Sequence, residues 1–302
     1  IRDRIIDMYH YPEEVVEVCR NLGLYVATGP GIGIRSVFSI AAFANKFRQD
    51  RGVIPLLNIP RIDPTRIDVI REYLEKAKNH QLRTHIHIAT TKSEVFEFRK
   101  RTGKWEIEYL YEAGLLNSHI LLSHLNWVSS MEIEKLSVVK PFVAVAPSSA
   151  MYLGEHGFTP VYSLLSHGIP VMLGTDGACS QGFNLFNEFR QLIILHKYAY
   201  TVELPVDIIF SNIVKNPYAF LGIKGGCLEV GAKALFTLIS LDYLRSMPIR
   251  RDNILRALTS GFPRATYTVV GNDLLLTPDK LSALIEIYLN ELSELEAEIR
   301  HK

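Results

Sequence analysis

Short apolar runs alternate with segments of helical period over the first two hundred residues. Pro12 to Leu22 is amphipathic with a period of 3.6, has a proline in its first turn and ends at Gly23, so it reads as a helix followed by the strand Leu24 to Thr28. The same two periods then take turns. Helices are expected over Ser36 to Arg51, Asp63 to Asn79, Ser93 to Thr102, Ile107 to Ala113, Ser129 to Leu136, Pro160 to His167 and Leu185 to Tyr198. Strands are expected over Gly52 to Asn58, Leu82 to Ala89, Ile120 to Ser123, Phe142 to Ala146 and Val171 to Gly174. Strands this short and this apolar suit a parallel sheet covered on both faces. A (β/α)8 TIM-type barrel is the preferred fold class, although an open doubly wound sheet fits the same alternation.

Beyond residue 200 the pattern changes. The helix Pro205 to Leu221 gives way to Gly225, Gly226 and Gly231, then to the β-rich stretches Ala234 to Leu241 and Ala265 to Leu276, then to a charged helix from Pro278 to Lys302. The expected organisation is therefore a barrel over residues 1–224, a small β-sandwich portion over 225–276 and a C-terminal helix over 277–302. The stripe Leu281, Leu284, Ile285, Tyr288, Leu289 and Leu292 suits docking on the barrel or on a second subunit.

Composition narrows the class. With 48% hydrophobic residues, 33 Lys+Arg against 32 Asp+Glu and a net charge of +1, the 302-residue chain has material for a buried core and no general electrostatic case for nucleic acid. Cys19, Cys179 and Cys227 form no CxxC, which argues against a disulfide framework and for a reduced, cytoplasmic setting. No apolar run reaches the ~18 residues of a membrane span. The chain starts at Ile1 without a methionine, as a piece of a longer reading frame would.

Polar side chains collect where the expected strands end: His85 and His87, then His124, then Asp176. In a barrel those ends converge on one mouth. His85 and His87 are two apart on a strand and share a face. Imidazole and carboxylate are donor types that divalent cations use, although a histidine pair also occurs as a satisfied core feature. Asp176 in Gly174-Thr175-Asp176-Gly177 follows an apolar strand, where a carboxylate is costly to bury without a cation or a shared proton; a helix cap or an Asp-Gly turn is its other reading.

These segments in order, His85-Ile-His87-Ile-Ala-Thr, Leu122-Ser-His124-Leu-Asn-Trp127, Ala146-Pro-Ser-Ser-Ala-Met-Tyr-Leu153 and Leu173-Gly-Thr-Asp176-Gly-Ala-Cys-Ser180, resemble successive strand ends of the amidohydrolase superfamily. The resemblance runs from Asp7-Met-Tyr9 to Gly225-Gly-Cys-Leu-Glu-Val-Gly-Ala-Lys233 and is greatest to the chlorohydrolase and deaminase branch, which includes methylthioadenosine/S-adenosylhomocysteine, guanine and cytosine deaminases. It implies one divalent metal ion, zinc or iron, with His87 and Asp176 as ligands, Asp176 also accepting the proton of a metal-activated water, and His124 touching metal or substrate. Thr90 and Trp127 fall beside the implied substrate, a nucleobase-like heterocycle cleaved at a C–N or C–X bond. A homodimer is implied by resemblance only.

Departures from the family pattern matter as much. The first-strand His-x-His pair should lie upstream of Asp7 and is absent. Thr90 stands where the deaminases carry a proton-shuttling glutamate, which removes a general acid worth typically 10²- to 10⁴-fold. The His-Asn-Pro-x-Ser-Asn segment appears as Val145-Ala146-Pro147-Ser148-Ser149-Ala150, and the usual Ala-Asp-Leu as Ala234-Leu235-Phe236. A second reading is thus a catalytically impaired paralogue serving as a binding or assembly subunit. An unrelated phosphate-binding barrel ranks last, because Gly29-Pro-Gly-Ile-Gly33 comes too early for its phosphate loop. Trp105 and Trp127 read as packing anchors, Trp127 also being near enough to His124 to line a pocket; Met151, Tyr152 and Phe183 read as an apolar substrate wall or a loop's own cluster; Cys179 reads equally as a core filler or a ligand.

Overall fold

The computed structural model describes residues 3–5, 11–21, 23–32, 37–50, 52–154, 157–177, 184–240, 250, 252–260, 263–271 and 273–276. Seven strands form one parallel sheet: β1 Asp3–Ile5, β2 Tyr25–Thr28, β3 Val53–Ile59, β4 Arg83–Ile88, β5 Ile120–His124, β6 Phe142–Val145 and β7 Val171–Leu173. Their order in the sheet is their order in the chain. A doubly wound sheet reverses direction at a switch point; here each strand pairs in parallel with the next and no reversal occurs, which is the winding of β/α barrels. No pairing of β7 with β1 is present among the described residues.

Between and after the strands lie α1 Pro12–Asn21, α2 Val37–Phe47, α3 Ile67–Asn79, α4 Lys92–Thr102, α5 Glu106–Glu112, α6 Ser130–Val139, α7 Pro147–Leu153, α8 Val161–Ser166, α9 Leu185–Tyr200, α10 Val206–Leu221 and α11 Ile254–Ser260. The helix expected from Asp63 begins instead as a 3-10 turn, Pro64–Arg66, because the Asp63 carboxylate accepts from the Thr65 amide at 2.8 Å. The stretch Ala265 to Leu276 is two strands, β9 Arg264–Val270 and β10 Asp273–Leu276, separated at Gly271 in the left-handed region; with β8 Leu235–Ser240 they make a three-stranded antiparallel sheet. The segment 277–302, expected as a C-terminal helix, lies outside the described residues, as do Asp7 to Tyr9, Gly33, Cys179, Ser180 and Phe183. Among the described residues no helix is long and apolar enough to cross a membrane.

Strand alternation sorts side chains into two cores. Leu57, Ile59, Ile86, Ile88, Leu122, Val143, Val145 and Val171 face the helices and pack with Leu74, Phe98, Leu110, Leu136, Leu164 and Leu192 in the main apolar cluster. The opposite, concave face holds Ala27, Leu56, Leu121 and Met172, closed from one end by Phe220 and Leu221 at the end of α10. Register carries the concave face upward into polar positions: Asn58 pairs with His85, and His87 with Ser123. The sheet interior is therefore apolar towards the strand starts and polar towards the strand ends. Trp105 packs as expected, with the Arg99 guanidinium 4.0 Å above its ring and Phe96 edge-on at 5.5 Å.

Gly29 marks a close approach between β2 and β3. A side chain there would collide with the backbone carbonyl of Leu56, so only glycine lets the two strands converge. Gly29→Ala should destabilise the protein by about 3 kcal/mol, measured by urea denaturation. A loss below ~0.5 kcal/mol would show that this approach is not tight.

Candidate active site at the strand ends

Non-glycine residues leave three of the strand ends through left-handed backbone. Ala89 (φ 50°) follows β4, His124 (φ 80°) closes β5 with Leu125 (φ 52°) next to it, and Asp176 (φ 57°) lies just beyond β7. Such conformations cost of order 1–3 kcal/mol each and persist where surrounding structure over-determines them, typically at functional sites. Two of these residues, His124 and Asp176, are those singled out by sequence.

The turns bring side chains from β4, β5 and β7 together. His87 Nδ1 and His124 Nε2 face each other at 2.9 Å, and their ring centroids are 5.0 Å apart. His85 shares the face with His87, ring centroids 4.8 Å apart, and joins Ser123 Oγ through Nε2 at 2.6 Å. His85 is thus an inward neighbour beneath the His87–His124 pair. Asp176 accepts from the Ser149 hydroxyl on one oxygen and from the Gly177 amide, at 2.8 Å, on the other. Burial pushes its pKa up, but the Ser149 bond, the nearby His124, the Gly177 amide and His87 outweigh it, and the carboxyl sits below its ordinary value. Asp176 therefore carries its negative charge beside the two imidazoles at neutral pH.

A second set of residues holds these ends in place. Glu106, on the first turn of α5, is only 3% exposed and accepts the Ala89 amide at 2.7 Å. Ala89 returns its carbonyl to the Trp127 amide at 3.1 Å, which ties the β4 end to the β5 end. Asn126 donates to the Thr90 carbonyl at 3.2 Å, and Thr159 donates to the His124 carbonyl and, at 3.3 Å, to Asn126 Oδ1. On the far side Glu188, buried on α9, accepts the Ser148 amide at 2.9 Å and so fixes α7, which carries Ser149. Asn184 starts α9 by capping the Phe186 and Asn187 amides, so the segment Asn184-Leu-Phe-Asn-Glu188, which the family resemblance also includes, supplies a cap and a brace.

Of the five residues singled out by sequence, His87, His124 and Asp176 converge. Thr90 and Trp127 stand on the loops after β4 and β5 and are linked to the site through backbone bonds. The Trp127 ring lies against Gly157, where a side chain would collide with Nε1. Met151 and Tyr152 project largely into solvent from α7. Sequence reasoning missed Glu106, Asn126, Ser149 and Thr159 as bracing residues, whose partners are 17 to 36 positions away. Among the described residues no group of three or more His, Cys, Asp or Glu side chains is arranged to hold a metal ion.

Singly wound parallel strands with a histidine and aspartate cluster at their C-terminal ends define a β/α-barrel type of site. The amidohydrolase family model matches residues 60–272, and the chain belongs to that family. It is 29% identical over 260 residues to a 5-methylthioadenosine/S-adenosylhomocysteine deaminase of Aquifex aeolicus, covering 81% of this chain and 60% of that protein. It is 27% identical to a 5'-deoxyadenosine deaminase of Methanothermobacter thermautotrophicus, covering 95% of this chain and 70% of the relative. A zinc-bound adenosine deaminase from Xanthomonas campestris superposes with a TM-score of 0.86 at 18% identity, covering 98% of this chain and 72% of that one, a likeness of fold. The chain thus spans about 60% of the length of the Aquifex relative.

Burial pushes the Glu106 carboxyl up to about 8, opposed by the Ala89 amide. An acid whose folded pKa lies above its unfolded one stabilises the fold most below the unfolded value and loses that contribution as pH rises through the folded one. Stability should therefore fall between about pH 5 and 8, with Glu106 contributing on the order of a few kcal/mol. Glu106→Gln keeps an acceptor for Ala89 and cannot ionise, so its plot of Tm against pH should be flatter. Parallel curves for the two proteins would contradict this role. Glu132 and Glu188, also raised chiefly by burial, contribute with the same sign in both.

Proposed function

We propose that the chain is a metal-dependent hydrolase that replaces an amine, or another leaving group, on a ring carbon of a nucleoside-like heterocycle. The observation that carries this reading is the meeting of His87 and His124 at 2.9 Å beside an ionised Asp176 at adjoining strand ends. The named relatives are deaminases of adenosine-type nucleosides, which supports the substrate class.

The donors fit a divalent cation in kind, borderline imidazole nitrogens with a carboxylate oxygen, and His87 and Asp176 would hold it. Zinc, the ion in the Xanthomonas neighbour, is the first candidate. When bound, such an ion lowers the pKa of a water and supplies a nucleophile at neutral pH. With no group of three such donors among the described residues, the rest of the coordination would come from outside them. Asp176 takes a proton on the carboxylate that Ser149 and Gly177 orient, and His124, held by Thr159, faces the reacting group. Water adds to the ring carbon, the proton taken up by Asp176 passes to the departing nitrogen, the C–N bond breaks, and ammonia leaves. Thr90 has no carboxylate for that delivery, which favours a leaving group that departs unaided. The same residue supports a second reading, a paralogue that binds its ligand with little turnover.

Asp176→Asn should lower kcat on 5'-deoxyadenosine, methylthioadenosine or S-adenosylhomocysteine by about 10²- to 10⁴-fold without loss of the folded circular-dichroism spectrum. An Asn variant as fast as the wild type would contradict the general-base role. Thr90→Glu should raise ammonia release from the same nucleosides; no gain on any of them would count against the lost-shuttle account.

A further inference from the structure

We propose that the opposite end of the sheet, at the strand starts, carries a binding site for a phosphate-bearing small molecule, built by Arg48, His80 and Arg83. These residues line a cavity of about 470 Å³ between α2, the end of α3 and the first residues of β3 and β4. That volume lies within the range of ligand pockets. Among the described residues its lining includes two arginines and a histidine and no acidic side chain.

The two arginines arrive there differently. Arg48 extends from the end of α2, is exposed, and forms no hydrogen bond or ion pair among the described residues. Arg83 opens β4 on the concave face and is half-buried. Its Nε donates to the Phe220 carbonyl at the end of α10, and its guanidinium lies 6.0 Å from the Phe220 ring. Gly222 makes the room, since a side chain there would collide with Nη2. The α10 carbonyl and the negative helix end offset part of the Arg83 charge. Among the described residues no carboxylate does so, and burial lowers its pKa. A guanidinium removed from water in this way favours an anion, and two of them present the planar forks that match phosphate oxygens. Ile54, Pro55 and Leu82 supply an apolar wall beside the cations, which suits the organic body of a phosphomonoester. The site is independent of the mouth: Arg83 starts the strand on which His87 stands four residues later, about 13 Å along it.

Isothermal titration of the full protein with inorganic phosphate and with phenyl phosphate, at an ionic strength fixed with potassium chloride, tests the proposal. Saturable 1:1 binding is expected, tighter for phenyl phosphate. Arg48→Gln, at a position with no bond to lose among the described residues, should weaken both about tenfold with an unchanged Tm. Arg83→Lys, which keeps the charge that seats α10 but loses the fork, should weaken them similarly. Asp176→Asn should bind as the wild type does. No saturable binding, binding that Arg48→Gln leaves intact, or an effect reproduced by chloride alone would overturn the site. Equal affinity for the two phosphates would overturn the organic-body assignment and leave the free ion as the ligand.

Discussion

The turn at the end of β4 is the constraint on which the mouth of this protein depends. Ala89 must adopt a left-handed backbone that an L residue with a side chain resists. The buried Glu106 carboxyl, on the first turn of α5, accepts from its amide, and the Trp127 amide donates to its carbonyl. With both backbone groups of one residue committed, the strand that carries His87 and the strand that carries His124 cannot move independently. The two imidazoles meet because their strand ends are joined two residues beyond His87 and three beyond His124.

The same device recurs around the sheet. Glu132 accepts the Ile107 amide at 3.3 Å and Glu188 the Ser148 amide at 2.9 Å, each a buried carboxyl that receives a backbone N–H from the preceding unit. A buried amide without a partner would cost about as much as a lost hydrogen bond, and a carboxyl buried without donors would cost more. Each group thus satisfies the other, and the helices are held in sequence around the strands. The arrangement leaves an apolar interior of Leu56, Leu121, Met172 and Phe220, with Arg83 at the strand start on one side of it and the polar cluster of His87, His124 and Asp176 at the strand ends on the other.

Much of this was legible in the sequence, because the signals are local. Period-two alternation placed His85 and His87 on one face, and the apolar run Val171 to Leu173 placed Asp176 at a strand end. The braces were not legible. Glu106 reads like any solvated helix glutamate, and only a partner 17 positions away makes it an interior group. The three-residue strand Asp3–Ile5 is too short and too charged for a β signal, and α7 has a Ser-rich start that masks its helix although Pro147 at its first position announces one. Gly271 followed by Asn272 was a turn signal within the stretch taken as continuous, where β9 and β10 part. The doubly wound alternative was excluded only by strand order, which periodicity does not encode.

The central claim is that this braced turn sets His87 and Asp176 where they can hold a divalent ion beside His124. Elemental analysis of bound metal tests it most directly, on protein expressed from its complete reading frame and purified without chelators, alongside His87→Ala. The account predicts about one zinc or iron per chain in the wild type and a loss of most of it in the variant. A wild type that holds no metal even after reconstitution, or a variant that holds it equally well, would contradict the account.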